Sequence, residues 1–317
     1  MQDWLAYDAR WSAPIFTARP SWALAWTQTF PEYEPCPLQC KLADGRHVFV
    51  PLLRSKGRFG WRLCVGMPWG ESTMFLDGAG CEAERDAAQA AFFCISQLCD
   101  AVEVTPWPLG KIHDLAVNTR RTHGEVSVID LGQGPEAALA RIDGKARRMA
   151  GQAERRGVTC ARADGPAALQ TYYEMLEASA RRWGLQQPTI SKDLLRDVFA
   201  HAGRDAEIWF AYHEGKAIAG GAVLFGSQEM YFWSAAMYGE FSTLRPSNAL
   251  NVMLIKYACD RGMRWYNLSS SSGLTGVERF KDSLGAQRVR YTTYRSERGP
   301  YAVYSAVRSA LLRVRQR

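Results

Sequence analysis

Long apolar runs and targeting signals are missing from this sequence of 317 residues. No stretch reaches the roughly 18 to 20 uninterrupted apolar residues that a membrane helix needs, and the start Met1-Gln2-Asp3 lacks the basic and apolar regions of a signal peptide. Hydrophobic residues make up 47% and charged residues 22%, which excludes an intrinsically disordered chain. We therefore expect a cytoplasmic globular protein without stable membrane insertion, built as one large domain or two smaller ones.

Metal-binding spacings and several common catalytic signatures are also missing. The eight cysteines are too sparse for a disulfide scaffold, and neither they nor the five histidines follow the spacing of a zinc site. No G-x-S-x-G, G-x-G-x-x-G or G-x-x-x-x-G-K-[ST] pattern occurs, which argues against a hydrolase elbow, a dinucleotide fold and a P-loop. We expect buried free thiols and no metal.

The charge is distributed unevenly along the chain. Residues 1–138 carry 12 Lys and Arg against 16 Asp and Glu, a net charge of −4, whereas the remainder carries 27 against 16, a net charge of +11. A basic half attracts phosphate-rich ligands such as nucleotides, coenzyme A, tRNA or anionic lipid surfaces. Charge alone does not choose among them.

A similar order of strands, helices and turns occurs twice along the chain, which predicts a duplicated mixed fold, α/β or α+β. In the second half the patterns predict strands at 158–163, 207–212, 217–225, 229–238, 264–268 and 288–294, and helices at 167–183, from Ser191 to about 202, 247–261 and 276–284. In the first half they predict helices at 21–29 and 82–99 and strands at 38–42, 47–53, 61–65, 73–76, 101–105 and 125–131.

These patterns give the expected domain organisation. We expect an N-terminal domain at 1–134, a basic linking helix at 135–157, a C-terminal domain with the donor site at 158–299, and a C-terminal basic helix at 300–317. The linking helix carries Arg141, Lys145, Arg147, Arg148, Arg155 and Arg156. This basic run is typical of a solvated helix face, and it is also compatible with a track for nucleic-acid phosphates.

The segment Thr-Leu-Arg-Pro-Ser-Asn-Ala-Leu at 243–250 follows a predicted strand and opens a predicted helix. The first turn of a helix has main-chain N–H groups without helical partners and a partial positive charge, and both favour a bound anion. We therefore predict that Arg245, Ser247, Asn248 and Ala249 bind the phosphates of a donor. Simple helix capping by Ser247 explains the same pattern equally well.

A polar loop, Asn-Leu-Ser-Ser-Ser-Ser-Gly at 267–273, ends another predicted strand and is followed by a helix that carries Lys281. Strand ends in open sheets commonly bind ligands, and a lysine there can neutralise a developing oxyanion. Lys281 is therefore our candidate catalytic residue. The candidate substrate-binding residues are Tyr231, Trp233, Tyr238, Ser270 and Phe280.

The order of elements in the second half resembles a GNAT acyltransferase domain, and residues 267–285 look like the FemAB-related branch of that family. The features that carry this resemblance are a strand, a serine and glycine loop, Gly276, Phe280-Lys281 and Gly285. The basic stretches at 145–149 and 153–158 and the segment at 244–250 are also similar to that branch. The resemblance covers about residues 140–295 well and the first half in architecture only.

The resemblance implies tandem GNAT-like domains, each a mixed, mostly antiparallel sheet flanked by helices. It implies transfer of an acyl or aminoacyl group from an acyl-CoA or an aminoacyl-tRNA to an amine, such as a cell-envelope or peptide precursor, without a metal. The family often has an acidic residue where this chain has Asn267, so we expect Asn267 to orient groups at the catalytic site rather than accept a proton. Two alternatives remain open at this stage: a binding or scaffolding module that keeps the fold without the chemistry, and an RNA-binding protein.

Overall fold

The computed structural model describes residues 1–56, 60–71, 74–76, 81–82, 85–111, 115, 119–271 and 273–315. The helices are α1 Gln2–Trp11, α2 Pro20–Thr29, α3 Arg85–Leu98, α4 Gly134–Ala140, α5 Gly144–Arg155, α6 Gly165–Arg182, α7 Lys192–Ala202, α8 Pro246–Asp260, α9 Thr275–Ser283 and α10 Gly299–Arg315. The strands are β1 Tyr33–Pro35, β2 Leu38–Lys41, β3 His47–Val50, β4 Leu53–Lys56, β5 Arg62–Val65, β6 Phe75–Leu76, β7 Cys81–Glu82, β8 Ala101–Val104, β9 Arg120–Asp130, β10 Thr159–Ala163, β11 Ala206–His213, β12 Lys216–Phe225, β13 Glu229–Met237, β14 Trp265–Asn267 and β15 Gln287–Glu297.

These elements form two compact units. The first unit comprises Met1–Ala13, Thr17–Gly124 and Arg290–Arg317, and the second comprises Pro14–Phe16 and Glu125–Val289. In the first unit the strand order is β1-β4-β5-β8-β15, and a separate small sheet has the order β2-β3-β6-β7. Helix α3 supplies Phe92 and Ile95 to a buried cluster that also includes Val48 and Val102 from the strands.

The second unit is built on strands in the order β9-β14-β13-β12-β11-β10. All neighbours in it are antiparallel except β13 and β14, which are parallel. The strands predicted at 207–212 and 217–225 form a hairpin: Glu214 and Gly215 both have positive φ, which is the signature of a type I′ turn, and they join β11 to β12.

Helices cover both faces of this sheet because neighbouring residues of each strand point to opposite sides. On β11, the ring of Trp209 lies 4.6 Å from the ring of Tyr257 in α8, and the ring of Phe210 lies 6.3 Å from that of Tyr172 in α6. Both strand residues are at least nine-tenths buried. The sheet therefore separates a layer that contains α6 from a layer that contains α8.

The predicted mixed α/β fold class is confirmed, and several of its elements differ from the prediction. Helix α1 was not predicted, because its N-cap Met1 makes no side-chain capping bond and gives no start signal. The linking helix predicted at 135–157 is instead two helices, α4 and α5. The Asp143 side chain accepts a bond from the Lys145 N–H at 2.6 Å and caps α5, which accounts for the break. The strand predicted at 47–53 ends at Val50, and β4 begins at Leu53.

Some predicted positions lie outside the described residues. They are Thr73 of the strand predicted at 73–76, residues 83–84 of the helix predicted at 82–99, Ser272 of the polar loop, His113, and residues 316–317. Among the helices in the described part of the chain, none combines the length and the apolar character needed to cross a bilayer.

Candidate active site

The site begins where the two parallel strands of the second unit separate. β13 pairs with β14 over three residues only, from Glu229 opposite Trp265 to Tyr231 opposite Asn267. β14 ends at Asn267, whereas β13 continues to Met237. An edge of β13 therefore extends beyond the end of its parallel neighbour, as a strand edge along which an extended ligand can lie.

The same stretch of β13 contains a β-bulge. Phe232 is opposite Val223 on β12 and Ser234 is opposite Ala222, so Trp233 is an extra residue in the ladder. A bulge bends a strand and increases its twist, and bulges are frequent next to active sites. Trp233 is an aromatic candidate from the sequence, but the sequence pattern does not reveal that it lies in a bulge.

After β13 the chain makes a tight turn before α8, here named the α8 turn, residues 238–246. A 3₁₀ segment at Gly239–Leu244 is followed by Arg245 in the left-handed conformation, with φ of 59°, and Pro246 is at the first helical position. Ser247 therefore lies inside the helix and does not occupy the capping position. Its hydroxyl donates to Met237 Sδ at 3.7 Å.

The predicted phosphate-binding residues occupy different environments at the α8 turn. The side chain of Arg245 is exposed, whereas those of Asn248 and Ala249 are buried. The N–H groups of Asn248 and Ala249 both donate to the Arg245 carbonyl oxygen, at 3.1 and 3.4 Å. The N–H groups of the two buried residues are therefore already engaged, and the exposed Arg245 side chain is the group that a ligand at this turn would meet.

Two further arginines hold the α8 turn from neighbouring helices. Arg156, just after α5, donates to the Thr243 carbonyl at 3.1 Å, and Arg182 of α6 donates to the Met237 carbonyl, also at 3.1 Å. Together with Arg245 they place three exposed guanidinium groups on the end of β13 and the turn after it. The sequence analysis included Arg156 only in the basic helix and did not select Arg182, because residues far apart in sequence meet there.

On the other side of the strand separation, β14 leads into the serine loop, residues 268–274. Ser269 has a φ of 66°, a left-handed conformation that is uncommon for a residue other than glycine. The Asn267 side-chain oxygen accepts a bond from the Ser269 N–H at 2.8 Å, and the Ser269 hydroxyl lies 3.3 Å from the Tyr231 hydroxyl. Several contacts thus hold this strained residue, a pattern that is concentrated at functional sites.

Lys281 holds the serine loop from helix α9. It is 7% exposed, and its Nζ donates to the carbonyl oxygens of Ser269 and Ser270, both at 2.9 Å. Burial lowers the pKa of Lys281 from 10.5 to about 8, and the nearby Glu278 carboxylate opposes this shift only in part. A buried ammonium group with an altered pKa beside a strained loop is a feature of functional sites.

Asn267 is fully buried and faces a carboxylate that sequence analysis did not select. Its Nδ2 donates to Glu229 Oε2 at 3.2 Å, and Glu229 is 2% exposed. A buried carboxylate from β13, two residues before Tyr231, therefore lies beside the end of β14. The signal in the sequence was a charged residue at the start of an otherwise apolar strand.

The Glu229–Asn267 pair leads to a prediction. Asn267→Asp would place two carboxylates about 3 Å apart in a buried site, and we expect it to reduce the free energy of unfolding by about 2–4 kcal/mol at neutral pH. The loss should shrink at acidic pH, because protonation of one carboxyl removes the repulsion between them. Urea unfolding at both pH values measures it. The swap Glu229→Gln with Asn267→Asp should recover much of the stability, and equal losses in the single and double variants would contradict the pairing.

The predicted substrate-binding side chains differ in exposure. Trp233 is 7% exposed, Phe280 packs against the core of the second unit, and Ser270 is exposed. Tyr231 and Tyr238 are half-buried. Their assignment to substrate binding stays a prediction.

The two glycines of the family motif have different surroundings. Gly285 has a φ of 80°, and a Cβ atom there would lie 2.8 Å from the Arg141 carbonyl oxygen, too close for any side chain. Gly276 has open space where a Cβ would be. Gly285 is therefore required by the fold, whereas Gly276 leaves room at the start of α9.

A known family matches the part of the chain that contains this site. Residues 137–282 match the family model of the acetyltransferase (GNAT) domain. This range contains the strand separation, the α8 turn, the serine loop and Lys281. No curated protein matches the sequence.

Solved structures similar to this chain share its fold over most of its length. The crystal structure of FemX has a TM-score of 0.69 at 14% identity, with 92% of this chain and 95% of FemX covered. A conserved protein of unknown function from Bacteroides thetaiotaomicron has a TM-score of 0.59 at 11% identity, with 92% and 96% covered. At these identities the likeness establishes the fold.

The fold and the family match define an acyltransferase: the protein transfers an acyl or aminoacyl group from an activated donor to an acceptor. Residues 137–282 are identified as a GNAT-type acetyltransferase domain, and the chain shares its fold with FemX. This confirms the resemblance found in the sequence. In the described part of the chain no group of three His, Cys, Asp or Glu side chains is arranged to hold a metal ion.

Proposed function

We propose that the protein is an N-acyltransferase that takes its acyl group from an acyl-CoA. The observation that carries this proposal is the path from the part of β13 that extends beyond the end of β14 to the α8 turn, which three arginines contact or follow. An extended arm with amide groups suits a strand edge, and a phosphorylated end suits clustered guanidinium groups. Coenzyme A combines both chemical features in one molecule.

The reacting thioester would lie at the other end of this path, next to the serine loop. The acceptor amine attacks the thioester carbonyl, the new C–N bond forms, the C–S bond breaks, and the amine proton leaves with the thiolate. Lys281 keeps the Ser269 and Ser270 carbonyl groups in place and contributes a positive charge beside the developing oxyanion. Asn267, held by Glu229, fixes the start of the loop.

A direct experiment tests the donor. Purified protein is titrated with acetyl-CoA and longer acyl-CoA molecules by calorimetry, and it is then incubated with them and a panel of primary amines, with free thiol release and acceptor mass followed. Binding at micromolar concentrations with amine-dependent thiol release is expected. The absence of both binding and thiol release for every acyl-CoA would refute the proposed donor.

Arginine variants test the phosphate contact at the α8 turn. Arg245→Ala is expected to weaken acyl-CoA binding by about tenfold or more, because charge-assisted bonds to phosphate are lost. The effect should decrease at high salt. Arg204→Ala is the matched control, because Arg204 is also exposed but lies just before β11, whose start is paired with the far end of β12. Equal effects of the two substitutions would contradict a site at the α8 turn.

A second candidate donor is aminoacyl-tRNA, for which the exposed cations of α5 are the specific observation. Lys145, Arg147, Arg148 and Arg155 are all exposed on this helix. Phosphate contacts by such groups make binding fall steeply with salt. Filter binding of charged tRNA at low and moderate salt, with acyl-CoA as competitor, separates the two donors: tight, salt-sensitive tRNA binding without acyl-CoA binding would favour the aminoacyl reaction.

A further inference from the structure

Three thiols meet inside the first unit, outside the range matched by the acyltransferase domain. Cys64 Sγ and Cys99 Sγ are 2.9 Å apart, and the Cys36 thiol is hydrogen-bonded to the Cys64 thiol. Cys64 and Cys99 are buried, whereas Cys36 is partly exposed. We refer to these residues as the thiol cluster.

Secondary structure holds each member of the thiol cluster in place. Cys64 lies in β5, directly opposite Arg54 of β4. Cys36 follows β1, and its N–H donates to the Leu52 carbonyl at 2.8 Å. Cys99 directly follows α3, and its N–H donates to the Ile95 carbonyl at 3.1 Å. The secondary structure of the first unit therefore brings the three sulfur atoms together in the folded chain.

Cys36 has the properties of a reactive thiol. The hydrogen bond from Cys64 and the nearby Arg54 guanidinium lower the pKa of Cys36 to about 6, although burial and Glu34 act in the opposite direction. Thiolates rather than thiols react with electrophiles, so a partly exposed cysteine of this kind is the accessible nucleophile.

Other cysteines of the chain provide a contrast. Burial raises the pKa of Cys40 to about 12 and the pKa of Cys160 to about 11. Cys160 is also partly exposed, but it lies in β10 of the second unit, away from the thiol cluster. Exposure alone thus does not distinguish Cys36; its neighbours do. A metal site is not the better explanation, because the described residues include no group of three His, Cys, Asp or Glu side chains that could hold a metal ion.

We propose that the thiol cluster is an oxidation site that reacts with hydroperoxides and ends as a Cys64–Cys99 disulfide. The Cys36 thiolate attacks a peroxide oxygen, the O–O bond breaks, and Cys36 becomes a sulfenic acid while an alcohol or water is released. The Cys64 sulfur then attacks the Cys36 sulfur, and the hydroxide leaves with the Cys64 proton as water.

The third thiol completes the sequence by exchange. Cys99 attacks the Cys64 sulfur of the Cys36–Cys64 disulfide, and Cys36 leaves with the Cys99 proton. Cys36 leaves as a thiolate, whose charge the Arg54 guanidinium stabilises. In total, two thiols and one hydroperoxide give one disulfide, one alcohol and one water, and Cys36 returns to its starting state.

The experiment uses the reduced full-length protein and hydrogen peroxide. Remaining thiols are alkylated after timed exposure, and intact mass and peptide mapping follow. Chymotrypsin suits the mapping because Leu38, Phe75 and Leu98 offer cleavage points between Cys36 and Cys40, between Cys64 and Cys81, and between Cys94 and Cys99. The expected result is loss of two of the eight thiols with a Cys64–Cys99 linkage.

Variants test the order of events. Cys36→Ser should slow disulfide formation at least tenfold, because the accessible thiolate is gone, whereas the matched control Cys160→Ser should react like the parent protein. In Cys99→Ser the reaction should stop at the Cys36–Cys64 disulfide. This variant also tests the role of Cys64 if Cys64 variants fold poorly. An unchanged rate in Cys36→Ser, a linkage without Cys64, or terminal sulfinic acid in place of a disulfide would each overturn the proposal.

Discussion

Lys281→Met is expected to lower kcat by about 100-fold or more while the protein stays folded. The thioether has nearly the same length as the lysine side chain, but it cannot donate to the Ser269 and Ser270 carbonyl groups that Lys281 Nζ holds at 2.9 Å. Both the loss of a positioned charge and a small displacement of a reacting group have effects of about this size. Steady-state rates with saturating donor and acceptor measure it.

Lys281→Arg is the control that separates two roles of the lysine. Arginine keeps the charge but cannot reproduce the compact contacts with both carbonyl groups in a buried site. If Lys281 mainly positions the serine loop, Lys281→Arg should be nearly as impaired as Lys281→Met. If its charge acts on the oxyanion, Lys281→Arg should recover part of the rate and should remove the decline in activity above about pH 8 that deprotonation of Lys281 predicts. Full activity in both variants would remove Lys281 from the mechanism.

The same group makes stability depend on pH in a defined direction. In the folded protein the pKa of Lys281 is about 8, and in the unfolded chain it returns towards 10.5. Between these values the unfolded chain binds a proton that the folded chain has released, so the Lys281 contribution to the free energy of unfolding rises with pH. Lys281→Met should remove this contribution. The increase in the free energy of unfolding from about pH 7.5 to about pH 10, measured by urea unfolding, should therefore be smaller in the variant than in the parent protein.

Gly285→Ala is expected to reduce the free energy of unfolding by about 2–4 kcal/mol, measured by urea unfolding. Two independent costs add at this position. The residue has a φ of 80°, and an alanine Cβ would lie 2.8 Å from the Arg141 carbonyl oxygen, which is main chain and cannot rotate away. Relief of this contact requires a shift of the chain between α4 and α5.

Gly276→Ala is the matched control from the same loop and helix. A Cβ there meets nothing within 4 Å, and the φ of Gly276 is not positive. We therefore expect a change in the free energy of unfolding within about 0.5 kcal/mol. Similar losses of stability at both glycines would contradict this account, whereas a stable Gly276→Ala protein with weakened donor binding would show that the open space is used by a ligand.

Local patterns were sufficient for most of the second unit. Alternation predicted β11 and β12, and helical patterns predicted α7 and α8, each to within a residue at either end. Such signals work because each depends on neighbours within a turn of helix or a pair of strands. Helix α1, without a capping signal, and the division of 135–157 into α4 and α5 were not predicted.

Local sequence patterns predicted the candidate site less completely than they predicted the elements. The sequence selected Lys281, Asn267 and Arg245 by motif and position. It did not select Glu229 or Arg182, and it could not indicate that Lys281 is 7% exposed and holds two carbonyl groups. These properties depend on which distant residues meet, and no local pattern encodes them.

The amino-acid sequence by itself indicated the mixed fold, the order of its elements and the resemblance of its second half to an acyltransferase domain, because hydrophobic periodicity, turn residues and motif spacing are local properties of the chain. Only the tertiary structure decided where β13 and β14 separate, which arginines meet at the α8 turn, and which thiols touch in the first unit. Those features arise from strand register and helix packing between distant segments. Burial and the altered pKa values of Lys281 and Cys36 follow from that packing.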